Sequence, residues 1–447
     1  MISIWGKNLV SKTFLLSKIT SVIQSLSLPD YILNEIDSLF FKYIWRSESN
    51  TNGYERINRK TMCLDIDQGG LGVISIKDQQ KLSLIKWLHR VHTRYKPDDT
   101  HYKIIDSFLR KVGGVNACYF ANCPPSSFKG LSFIGSYFWR TVVSHFIDFR
   151  HNCLEENIPE KFITIFNNKK ILHENKTLFI SRWISSGLIY VNQLFSNGRI
   201  KTYEEIKNEI GPYGGLIIDY LAVRRAVMRV YDPTAFGNEN QEPHTYTLDK
   251  LNNKSIRKLI VQKAAHQPKC VELWFRKLNF DVTANFMVAH KTTKEGRLRS
   301  LHFKIIHHIY PTNILLHRMG IKNSDLCSYC HITDTYSHFF FNCHTLTSLW
   351  SYVETLICLA AGENVSLNVT KALFGLTRED ISNKLRLREA NLLILLAKLS
   401  ISKHRYAKNQ RNIKLMLQYE IMLREKYFKI LSEELGDDMN FSSNILL

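Results

Sequence analysis

Cys327, Cys330, His338 and Cys343 stand close together in the stretch CSYCHITDTYSHFFFNC. Thiolates and imidazoles are the donors that Zn2+ takes in tetrahedral sites, at about 2.0–2.3 Å. The spacing is Cys-x2-Cys-x7-His-x4-Cys. A Cys-x2-Cys turn can aim two sulfurs at adjacent corners, and the seven-residue gap is long enough to fold back so that His338 and Cys343 close the set. Four protein ligands leave no open position, so the spacing predicts a structural Zn2+ whose binding is coupled to local folding. No catalytic residue is assigned there. His331 and His344 border the ligands and could substitute, but their places beside Cys330 and Cys343 make simultaneous ligation awkward. Phe339, Phe340 and Phe341 are expected to pack over the metal, and Trp350 to anchor a core.

The surroundings are basic. Lys and Arg number 60 against 40 Asp and Glu, a formal charge of +20, which points to a polyanionic partner, nucleic acid before an anionic membrane surface. Two segments suit phosphate contact. Lys291, Lys294, Arg297, Arg299 and Lys304 precede the cysteine cluster. From Lys384 to Lys414 the only acid is Glu389, and the cations include Lys398, Lys403, Arg405, Lys408, Arg411 and Lys414, with Tyr406 among them. Such charges give sequence-independent attraction to a phosphate backbone, and aromatic rings can add stacking. Nothing reads as a code for particular bases.

The elements that must hold these residues are mostly helices. Apolar residues recur at helical spacing over Leu9–Leu26, with Pro29 ending the run, then over Tyr31–Trp45 and towards Tyr95 through Leu82, Ile85, Trp87 and Leu88. A strand-like piece is expected before Gly69–Val73, where Asp65 and Asp67 would share one face. Residues 96–135 read as an irregular connection, and a helix is expected over 136–150. SRWISSGLIYVNQLFSNGRIKTYEEIKNEIG reads as two short helices about a turn at Asn197-Gly198. A boundary is expected over 231–243, and helical periodicity dominates beyond it. The fold class is thus mainly α and multi-helical, with a small Cys3His zinc module and minor β structure. The other cysteines, Cys63, Cys118, Cys123, Cys153, Cys270 and Cys358, are expected as free core residues. The run around Leu392–Leu396 is too short to span a bilayer, and Lys7, Lys12 and Lys18 interrupt any signal-peptide core, so an intracellular protein without a membrane partner is expected.

The motifs together resemble the C-terminal part of LINE-type, non-LTR retrotransposon reverse transcriptases. CSYC...SHFFFNC...LW is similar to the zinc-binding region downstream of the polymerase domain in that family. LPDYILNEIDSLFFKYIW followed by GGLGVISIKDQQKLSLIKWLHRV is similar to the segment after the palm, treated as thumb. SRWISSGLIYVNQLF resembles a recurring tryptophan segment, with Gly187-Leu188 in place of Gly-Ile. LHFKIIHHIYPTNILLHRMGI resembles the helix leading into the zinc site, and ALFG with NLLILLAKLSISKHRY resembles the C-terminal helical tail. Where the family has Glu-Thr before the histidine, this chain has Asp334-Thr335.

The resemblance implies a thumb-like region over 1–95, a connector over 96–235, a helical lead-in over 236–320, a zinc module over 321–358 and a basic tail over 359–447. It implies RNA or DNA as partners, and association with a polymerase palm or a retroelement particle. A polymerase needs a Tyr/Phe-x-Asp-Asp turn to hold two Mg2+. The nearest approaches, YDPT at Tyr231 and LDIDQGG at Leu64, do not supply one, and no nuclease motif follows the cysteine cluster. The expectation is therefore a non-catalytic nucleic-acid-binding region. The alternatives are a portion of an RNA-directed DNA polymerase whose palm lies elsewhere, and an inert or host-recruited interaction remnant.

Overall fold

A computed structural model describes residues 2–46, 55–94, 96–154, 158–211, 217–232, 252–263, 267–407 and 412–435. They are mostly helical, with two short antiparallel hairpins as the only sheets among them. The chain divides into two units. One comprises Met1–Phe14, Leu39–Val73 and Ala265–Leu447, the other Leu15–Ser38 and Ile74–Ala264.

The second unit is organised by the Ile76–Arg94 helix, whose Leu82, Leu84, Ile85, Leu88 and Val91 are almost wholly removed from water. Its first turn is capped from a distance. The Asp37 carboxylate accepts the Ile76 N–H at 2.6 Å and the Ser75 hydroxyl at 2.7 Å, satisfying donors that a helix start leaves unpaired. The Tyr137–Cys153 helix packs against it, and Ser136 caps that helix by accepting from Trp139 N.

Residues 96–135 differ from the irregular connection expected of them. Helices Thr100–Leu109 and Gly114–Tyr119 form there, and Val112, Val115, Cys118, Tyr119 and Phe120 join the core. Gly113 and Gly114 mark a sharp reversal between helices: both have left-handed backbone, φ 103° and 81°, which a side chain would resist. The Asn197-Gly198 turn is present, but it joins two strands. Phe195-Ser196 pairs with Arg199-Ile200, and left-handed φ at both turn residues gives the tight hairpin that Asn-Gly favours. The Ser181–Ser185 and Tyr203–Ile210 helices flank it. Most of the expected 231–243 boundary lies outside the described residues.

In the first unit, the segment before the glycine turn is no strand. Ile66–Gln68 is a 3-10 turn, so Asp65 and Asp67 do not alternate along an extended face. Met62 O accepts from both Leu71 N and Val73 N, at 3.1 and 3.0 Å, and Gly70 lies so close to Leu64 that a Cβ would fall 1.9 Å from its carbonyl oxygen. The Lys384–Tyr406 helix lies in the middle of the C-terminal core, packed by the Thr347–Ala361 and Ile413–Leu435 helices. Every residue from Glu389 to Ile401 is buried, which explains the apolar run as a helix covered on all sides. No helix among the described residues is long and apolar enough to cross a membrane.

This covering corrects one expectation. Lys398 does not face solvent: it is 0 % exposed and donates to Leu373 O at 2.9 Å, with His302 Nδ1 at 3.4 Å. A phosphate cannot reach it. Burial lowers its pKa from the ordinary 10.5 to about 7. Between about pH 7 and 10.5 the unfolded chain therefore binds a proton that the folded chain lacks, so this group makes stability rise with pH across that window. Thermal melts of wild type and Lys398→Met should show the wild type gaining on the variant as pH rises from 7 to 10. A constant difference across that range contradicts the assignment.

Candidate metal centre

The two cysteines of the Cys-x2-Cys turn sit on a tight knuckle. Cys327 N donates to Ile332 O at 2.8 Å, His331 N returns to Cys327 O at 3.0 Å, and Leu326 bridges Thr333. The chain reverses at His331, whose φ is 53°. The other two ligands come from one π-helical turn, His338–Asn342, closed by Cys343 N donating to His338 O. A π turn spaces residues five apart over each other, which is the separation of His338 and Cys343. Thr335 Oγ1 accepts the His338 N–H at 3.2 Å and so sets the start of that turn.

These two pieces bring the ligand atoms of Cys327, Cys330, His338 and Cys343 within 4.8 Å of one another. Cys330 Sγ lies 3.1 Å from His338 Nε2 and 3.5 Å from Cys343 Sγ. Sulfurs about 2.3 Å from one tetrahedral ion stand about 3.8 Å apart, so the group could hold a metal ion with little rearrangement. Among the described residues it is the one such group. His331 and His344 are exposed and lie outside it, which removes them as substitutes.

The cluster is not a small module with a core of its own. Cys327 and Cys343 are 0 % exposed and belong to the hydrophobic core that also holds Trp274, Ile305, Leu349 and Leu395. Phe339 and Phe340 are buried beside Tyr310, with ring centroids 5.4 and 5.0 Å from it. Trp350 is buried as expected of a core anchor, donating Nε1–H to Phe340 O at 2.9 Å. Asp334, which replaces glutamate in the resemblance, is 1 % exposed and accepts from Asn313 N at 3.3 Å, so it braces the loop before the ligands.

No family model and no curated protein matches this chain.

Arg405, one of the cations expected to suit phosphate contact, is a partner of the ligands, a role that carried no signal in the sequence. Arg405 Nη1, from the last turn of the Lys384–Tyr406 helix, donates to Cys327 Sγ at 2.7 Å. Its guanidinium lies over the Tyr329 and Phe339 rings at 5.1 and 5.2 Å. Burial alone would push the Cys327 thiol up. The Tyr329 N–H, the Arg405 guanidinium, the Cys330 N–H and His338 outweigh it and hold the pKa below the ordinary 9.0. These donors favour the Cys327 thiolate, the form that binds metals.

The remaining cations fall into two groups. Lys291, Lys294 and Arg297 are exposed. Four others are engaged or partly covered within the fold. Arg299 donates Nε–H to Thr293 O at 2.6 Å, Lys304 is half-buried, Lys403 pairs with Glu420, and Lys414 lies half-buried over the Tyr352 ring. Lys408 and Arg411 lie outside the described residues.

Purified protein should carry about one equivalent of metal by elemental analysis, and Cys327→Ser with Cys343→Ser should abolish it and lower the melting temperature. Arg405→Ala should keep the stoichiometry and weaken metal affinity roughly tenfold or more, the usual effect of losing a partner of a ligand. Unchanged affinity in a chelator competition contradicts a role for Arg405.

Proposed function

We propose that this chain is the non-catalytic C-terminal region of a non-LTR retrotransposon reverse transcriptase. It grips RNA or DNA through a basic segment beside a structural Zn2+, and supplies no nucleotide-transfer chemistry of its own. Three sulfurs and one nitrogen within 4.8 Å of one another are the donor set of structural zinc rather than of a harder ion.

The observation that carries the nucleic-acid reading is the charge of the segment from Lys291 to Arg297. Its one acid, Glu295, is taken by Arg424 through a two-pronged pair at 2.8–3.0 Å. Arg299 ties the segment down by bonding Thr293 O. Lys291, Lys294 and Arg297 are left exposed, in no ion pair among the described residues, with their neighbouring acid neutralised. Like charges carried by the end of one helix and the start of the next, with the turn between them, are suited to a phosphate backbone.

Each phosphate contact contributes about 0.7–0.9 to the slope of log affinity against log salt. Replacing Lys291, Lys294 and Arg297 by Ala should therefore weaken binding of an RNA or DNA fragment in fluorescence anisotropy and reduce that slope by about 2–3. Equal affinity and slope in the triple variant would refute the assignment. Primer extension by the chain alone would refute the non-catalytic part.

A further inference from the structure

The residues around Gly113-Gly114 build a cleft of about 330 Å3 within the second unit. This is at the lower end of small-molecule sites, roughly 300–1,000 Å3. Tyr102, Asp106 and Arg110 line it along successive turns of one helical run, and Ser185, Ser186 and Tyr190 line it from the end of the Ser181–Ser185 helix and the chain after it.

The lining is built. Asp106 Oδ1 accepts the Val115 N–H at 2.9 Å, an approach that only glycine at 114 permits, since a Cβ there would stand 2.6 Å from that oxygen. Oδ2 has no partner among the described residues, so the carboxylate is held by one oxygen and presents the other. The Phe162 ring meets Tyr190 at 6.2 Å and 68°, an edge-to-face contact that fixes the phenol. Burial, followed by the Asp106 carboxylate, raises Tyr102 to about 12, and burial, followed by Tyr102, Cys118 and Asp106, raises Tyr190, so both hydroxyls stay protonated donors. Arg110 is exposed at the rim and in no ion pair among the described residues.

A single carboxylate inside and a free guanidinium at the rim call for a ligand with N–H donors at one end and an anion at the other. The two phenols and the Ser185 hydroxyl between them, with Ser186, whose hydroxyl donates to Arg182 O at 2.7 Å and so only accepts, suit a flat polar body with a sugar. An apolar ligand would strand the Asp106 charge, and one carboxylate is too few for a metal ion. We propose that this cleft binds one guanine nucleotide, with the base N–H groups on Asp106 and the phosphate on Arg110. Guanine presents two adjacent donors, which match a carboxylate better than the single N–H of uracil. The nucleotide could be free or an unpaired guanine within a strand; the chemistry recognised is the same. The inference stands on the cleft alone and does not use the basic segment around Lys294.

Titration calorimetry with the full chain tests it, using GMP, UMP, inorganic phosphate and a short single-stranded oligonucleotide with or without one guanine. GMP should bind saturably and at least tenfold tighter than UMP or phosphate. Arg110→Ala should weaken GMP about tenfold. Ser185→Trp, at an exposed position, should block the cleft while leaving the melting temperature unchanged. Tighter binding of the guanine-bearing oligonucleotide than of GMP identifies a strand as the source, and the reverse order a free nucleotide. Absence of GMP binding, equal binding of GMP and UMP, or full GMP binding by Ser185→Trp overturns the proposal. Replacing Lys291, Lys294 and Arg297 should leave GMP affinity unchanged, so failure here is distinguishable from failure of the backbone-binding reading.

Discussion

The bond from Arg405 to the Cys327 sulfur ties the local chemistry of the ligands to the packing of the whole C-terminal unit. Three thiols and an imidazole cannot be crowded within 4.8 Å in a core unless their charges and protons are managed. A guanidinium is suited to that task, because it remains charged and can stack on aromatic faces while it donates. Tyr329 and Phe339 supply those faces, and Tyr329 also stacks on His404, one residue before the arginine. The knuckle, the π turn and the end of the long helix therefore have to arrive at the same place together.

From there the constraint spreads along helices. Tyr406 donates to Pro311 O, and the Tyr310 hydroxyl meets Ser402, so the end of the Lys384–Tyr406 helix is also fixed to the chain that leads into the ligand loop. Lys403 holds Glu420, Glu420 also accepts from Arg424, and Arg424 takes Glu295. Through this chain of charged groups the last described helix is connected to the segment that presents Lys291, Lys294 and Arg297. On the proposed reading, a metal site with no open coordination position would contribute to binding without touching the nucleic acid, because it would fix the end of a helix whose partners hold the basic segment.

What was legible in the sequence was what is local. The ligand spacing could be read because a knuckle and a π turn each lie within a few residues. The Asn197-Gly198 turn could be read from its chemistry, though the elements it joins could not, since each strand is only two residues long. The glycine pair at 113–114 looked like the end of order, because composition does not distinguish a loose connection from a reversal between packed helices. Lys398 looked like its neighbours in a run of cations; a buried helix shows no polar face by which to place one charge inside. Arg405 and Cys327 are 78 positions apart, and no periodicity links them.

Hydrogen exchange on the metal-free and zinc-loaded protein tests the central claim most directly. If the ligands and the long helix form one cooperative unit, zinc should slow exchange together in 327–343 and in the C-terminal half of the Lys384–Tyr406 helix, and Arg405→Ala should uncouple the two. Protection gained in 327–343 alone, with the helix equally protected in both states, would contradict the account.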